Sequence, residues 1–125
     1  MISGAHFLLY STDADADRQF IRDVLCFKNI DLGGNWLLFS LPPSEMAVHP
    51  GDGSFVQSHA DHSMLGIVLY LICDDLADTM RTLQQKGVTC SAVQQADWGS
   101  STSIRLPSGG AIGLYEPRHP TMLGK

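Results

Sequence analysis

The strongest constraint on this sequence is that its predicted elements run through the same order twice. Sliding the chain by 61 residues sets Leu9 on Tyr70, Tyr10 on Leu71, Asp13 on Asp74 and Phe27 on Val88. At an offset of 65, Leu41-Pro42 falls on Leu106-Pro107, and at 67 the run Ser44 to Pro50 falls on Ala111 to Pro117. The offsets grow along the chain, as they should if loops in the second copy are slightly longer. Each half then reads strand–helix–strand–strand–strand.

The elements themselves come from periodicity. Ser3 to Tyr10 is a short apolar run that suits a buried strand. Ser11-Thr12-Asp13 supply capping oxygens, Asp15 and Asp17 place negative charge at the positive helix end, and Ala16, Phe20 and Val24 form one apolar stripe. Strands are expected over Lys28 to Leu32 and Trp36 to Phe39, with Gly33-Gly34 turning between them. A further short strand is expected over Glu45 to Val48. Pro50 to Ser63, rich in Gly, Ser, Asp and His, reads as a loop. The second half opens with a strand over Leu65 to Ile72. A helix follows, capped by Asp74-Asp75, with Leu76, Met80 and Leu83 on one face and Gly87 as its stop. Strands over Val88 to Val93, Ser101 to Leu106 and Ala111 to Tyr115 complete the pattern, and Glu116 to Lys125 is expected to be an extended arm.

Composition narrows the function classes. A chain of 125 residues suits one domain, and 44% hydrophobic residues can build a core without staples. The formal charge of −5, without basic clusters, argues against nucleic acid and anionic membrane surfaces. No apolar run reaches the roughly 18 residues of a membrane span. Met1 to His6 lacks a basic segment typical of secretion, and three cysteines without paired spacing suggest reduced thiols, so a cytoplasmic protein is expected. Serine-hydrolase elbows, phosphate-binding glycine loops and dinucleotide fingerprints do not occur.

His6-Phe7-Leu8-Leu9-Tyr10-Ser11-Thr12-Asp13, the helix end at Leu25-Cys26-Phe27, and Gly109 to Pro117 resemble the vicinal oxygen chelate superfamily. That superfamily contains glyoxalases, bleomycin-resistance proteins and extradiol dioxygenases, and the resemblance covers about residues 3–118. It implies an α+β fold of two paired βαβββ modules, about 3–50 and 64–118, whose curled mixed sheets enclose a cavity often completed by dimerisation. It also implies a divalent metal held by one side chain from each of the first, fourth, fifth and eighth strands. Those positions map to His6, Met46, Ile67 and Gly113. They offer one imidazole, one weak thioether and two residues without a donor, whereas first-row metals need three or four imidazole, carboxylate or thiolate ligands. Glu45 and His49 bracket Met46 but should face the other way unless a bulge re-aims one. His59 and His62 lie in the polar loop, and Glu116 and His119 near an edge.

No bound metal is therefore expected. The same alternation assigns Leu8, Met46, Ile67, Leu69 and Gly113 to an apolar pocket with His6 and Tyr115 as polar handles, and the missing side chain at Gly113 leaves room for ligand. The leading expectation is a small-molecule binder for a partly apolar or aromatic compound. The alternative is a metal-dependent lyase or dioxygenase with His6 as its catalytic or ligating residue, and a scaffold with a filled cavity is a third. Uncovered sheet edges predict a homodimer.

Overall fold

The computed structural model describes residues 1–125. Its elements are α1 (Ala14–Asp23), β1 (Asn29–Asp31), β2 (Leu37–Phe39), β3 (Val56–His59), β4 (His62–Leu65), β5 (Tyr70–Ile72), α2 (Leu76–Gln85), β6 (Gln94–Ala96), β7 (Gly99–Arg105) and β8 (Ala111–Pro117). The second module is a complete βαβββ unit. Its sheet has the order β5-β8-β7-β6, with β5 parallel to β8 and the other pairs antiparallel. That mixed sheet and the two helices make the α+β architecture expected from the pattern.

The helices form where their caps permit. Asp13 accepts from the Ala16 amide and Asp75 from the Asp78 amide, so each carboxylate satisfies a first-turn donor. α2 ends in a left-handed Gly87 (φ 83°), with the Gly87 amide donating to Gln84 O and the Val88 amide to Leu83 O. Leu76 and Leu83 of α2 bury against Ile104, Ile112 and Leu114 of the sheet. Phe20 and Val24 of α1 pack against the same core, so both predicted apolar stripes do face inward. Asp17 ties α1 to the β7–β8 turn: its carboxylate accepts from Ser11 Oγ at 2.7 Å and from the Ser108 amide at 3.0 Å.

The first half departs from expectation at its outer strands. Neither Ser3 to Tyr10 nor Glu45 to Val48 joins a ladder, although their counterparts β5 and β8 pair with each other in the second half. Only β1 and β2 pair there, in register from Asn29–Phe39 to Asp31–Leu37. The expected loop over Pro50 to Ser63 instead holds β3 and the start of β4. Its turn residues Ala60 and Asp61 have φ of 52° and 62°, the mirror-image turn that suits a hairpin but lacks the usual Asn-Gly signature. Leu65 belongs to that hairpin, which leaves only Tyr70–Ile72 as the opening strand of the second module. Between Val88 and Val93 there is a single bridge, Cys90 to Ile104, and the regular strand begins at Gln94.

Candidate functional site

Register decides which side chains share the face of the sheet opposite α2. Ile104, Ile112 and Leu114 point to the core, so alternation sends Ser101 and Ser103 of β7 and Gly113 and Tyr115 of β8 to the other side. Ser103 lies opposite Gly113 and Ser101 opposite Tyr115. Tyr70 of β5 is level with Gly113, and Gln94 of β6 with Ser101. Above this face lies an open groove of about 430 Å³, walled by Leu9, Ile67 and Val68 and floored by Ser101, Ser103 and Gly113. None of its lining residues carries a charge.

The space over Gly113 is taken by the Tyr70 ring: a Cβ at Gly113 would overlap Cδ1 and Cε1 of that ring. Tyr70 meets Tyr115 edge to face at 5.5 Å, and Tyr115 meets Trp98 in the same way at 5.5 Å. Tyr115 is further engaged with the C-terminal arm. His119 Nδ1 must donate to the Pro120 carbonyl (2.8 Å), since a carbonyl only accepts, so Nε2 is the acceptor for the Tyr115 hydroxyl at 2.5 Å. Burial raises the Tyr115 pKa, and the charge of Glu45 pushes it the same way. Glu45 in turn accepts from the Met122 amide at 2.8 Å. Arg118 donates to Ala96 O, Gln95 Oε1 and Ser100 Oγ. The arm is thereby fastened to β6, β7 and the first half.

The sequence-derived site is only partly assembled. Ile67, Leu69 and Gly113 line the groove, although Leu69 also packs on the core. Tyr115 sits beside the groove, in the aromatic cluster. His6, Leu8 and Met46 do not line it; Met46 is 87% exposed, and Leu9 takes the place expected of Leu8. The room expected at Gly113 is occupied by Tyr70. The helix caps Asp13 and Asp75 are 62 apart, not 61, so the counterpart of His6 is Val68 rather than Ile67. Ile67, Val68, Leu69 and Tyr70 all line the groove, and Leu69 and Leu71 also pack against the core.

The donor set does not fit a divalent metal. His6, Met46, Val68 and Gly113 provide one imidazole and one thioether, and no group of three or more His, Cys, Asp or Glu side chains converges anywhere in the chain. The thiols are no better placed for chemistry. Burial raises the pKa of Cys73 and of Cys90, and Glu116 and Asp74 add to the rise at Cys73 despite its position before α2. Sequence reading missed Tyr70, Gln94, Ser101 and Ser103. A signal existed in Ser100-Ser101-Thr102-Ser103, a hydroxyl run in a strand otherwise flanked by apolar residues.

No protein-family model and no curated protein matches the sequence. Solved structures do match the fold. TnmS3, an antibiotic binding protein from Streptomyces sp. CB03234, superposes with a TM-score of 0.59 at 20% identity, covering 94% of this chain and 99% of that one. Lactoylglutathione lyase from Agrobacterium tumefaciens gives 0.57 at 20%, covering 86% and 88%. A member of the glyoxalase/bleomycin resistance protein/dioxygenase superfamily from Sphaerobacter thermophilus gives 0.55 at 21%, covering 92% and 98%. The chain thus has the fold of the glyoxalase/bleomycin resistance/dioxygenase superfamily.

Proposed function

We propose that this protein binds a small, partly apolar or aromatic molecule in the groove over β7 and β8, without a divalent metal. The observation that carries the reading is the pair Tyr70–Gly113. Gly113, one of the four positions from which the resemblance implies a metal ligand, has no side chain, and a phenol ring lies over it. The likeness in fold to an antibiotic binding protein supports binding as the activity. The three free thiols, one of them exposed, suit a reducing cytoplasm. No helix is long and apolar enough to cross a membrane. A homodimer is part of the same proposal, since the apolar segments around the groove have no cover within one chain.

Two measurements test this function. Protein incubated with Ni, Zn, Mn or Fe(II) and desalted should retain less than one equivalent of metal. Stoichiometric metal that is lost in His6→Ala would overturn the proposal in favour of a metal-dependent lyase or dioxygenase. A thermal-shift screen of aromatic and hydrophobic compounds should give hits, with about 2.7 kcal/mol of stabilisation at a hundredfold excess over Kd. Gly113→Phe, which must expel the Tyr70 ring into the groove, should remove that stabilisation. Hits unaffected by it place the ligand elsewhere.

A further inference from the structure

We infer that the groove selects an uncharged ligand, one that presents a hydroxyl or similar donor–acceptor group to Ser101 and Gln94 while its apolar body lies along Ile67 and Val68. This rests on the binding function proposed above and adds the class of molecule bound. Ser101 is only 6% exposed, yet its hydroxyl has no hydrogen-bond partner in the protein, and it is not sealed off, since it borders the groove. Its neighbour across the β6–β7 pair, Gln94, has an amide that is likewise uncommitted, and the Tyr70 hydroxyl makes no hydrogen bond either. Ser103 differs: its hydroxyl donates to Ser91 Oγ at 3.1 Å and keeps only acceptor capacity. Water reaches this hydroxyl through the groove, so a ligand group can take the water's place, whereas a ligand that covers it without offering a partner leaves it unsatisfied at a cost.

Every one of these groups is neutral and both donates and accepts, apart from the committed Ser103. An ionised ligand would leave water for a site that offers no counter-charge, in a protein of formal charge −5. A hydroxyl, by contrast, can satisfy Ser101 and Gln94 together and leaves no charge uncompensated. The selectivity therefore arises from the polar edge, whereas the apolar wall accepts many shapes.

A matched set of naphthalene probes separates these contributions: naphthalene, 2-naphthol, 2-naphthoate and 2-naphthylmethylammonium, each titrated calorimetrically at pH 7. 2-Naphthol should bind about tenfold more tightly than naphthalene and than either ion, the size of one good neutral hydrogen bond. Ser101→Ala should bring 2-naphthol down to the affinity of naphthalene and leave naphthalene itself unchanged. Gln94→Leu, on the exposed edge strand, should act in the same direction and guards against a folding defect in the first variant. Tighter binding of either ion, or 2-naphthol affinity indifferent to both substitutions, would overturn the inference while leaving the binding function standing. Failure of all four probes to bind would overturn both.

Discussion

Gly113 shows how one absent side chain can be a packing requirement. Tyr70 lies where a Cβ would stand, so Gly113→Ala should force the ring to move and cost about 1–3 kcal/mol, the usual penalty of overpacking. Tyr70→Ala should cancel most of that cost, and a double-mutant cycle by urea denaturation would read the coupling directly. Additive effects would mean that the two residues do not compete for the same space. Cys26 makes the opposite case. It holds φ 61° three residues beyond α1, a left-handed conformation that Gly87 adopts two residues beyond α2. A side chain in the left-handed region costs about 1 kcal/mol, so Cys26→Gly should raise stability by roughly that amount.

At the scale of elements, Asp17 joins α1 to the turn between β7 and β8. Burial alone would raise its pKa, but hydrogen bonds from Ser11 and Ser108 outweigh that and hold the carboxyl below its usual range. A carboxylate with a lowered folded pKa stabilises the protein above the unfolded value of about 3.9, and that contribution is lost as pH falls through the folded value. The urea midpoint of the native protein should therefore exceed that of Asp17→Asn by a constant margin between pH 7 and 5. The margin should shrink below about pH 4. A margin independent of pH down to 2 would assign the contact to packing instead of charge. The helices were legible because their signals are local: an acidic cap, an apolar stripe and, for α2, a glycine stop. Their spacing was legible only in part. The left-handed residues Cys26 and Gly87 do stand 61 apart, but the caps Asp13 and Asp75 stand 62 apart: both helices have 10 residues, and the extra residue lies between α1 and Cys26. An offset of 61 sets Ile67 against His6 and an offset of 62 sets Val68 there, and both residues line the groove, as Gly113 does from its own strand. The hydroxyls of β7 escaped notice because their role depends on which strand lies beside them. No local pattern encodes that.

The whole molecule poses a question of surface. One chain exposes 9290 Å², and only 14 of 125 residues are buried. A folded protein of 13.6 kDa exposes about 6,600 Å² by the scaling of surface with mass, so about 2,700 Å² is in excess. That excess is on the scale one partner contributes to a large obligate interface. Much of it is apolar and lies in the same few stretches: Phe7 to Tyr10, Met46, Val48, Ile67 and Val68 are all exposed. Two of these stretches were expected as strands and pair with nothing in the chain, and a second copy would offer both an edge for their backbone and cover for their side chains. Sedimentation should accordingly give a mass of twice 13.6 kDa at micromolar concentration, with a Tm that rises with protein concentration. Val48→Asp, which places a charge in the middle of one such stretch without disturbing the core around Ile104, should shift the population to monomer and weaken ligand binding in the same titration. A monomer in the native protein, with a Tm independent of concentration, would mean that these apolar segments find their cover within the chain, and the dimer would have to be abandoned.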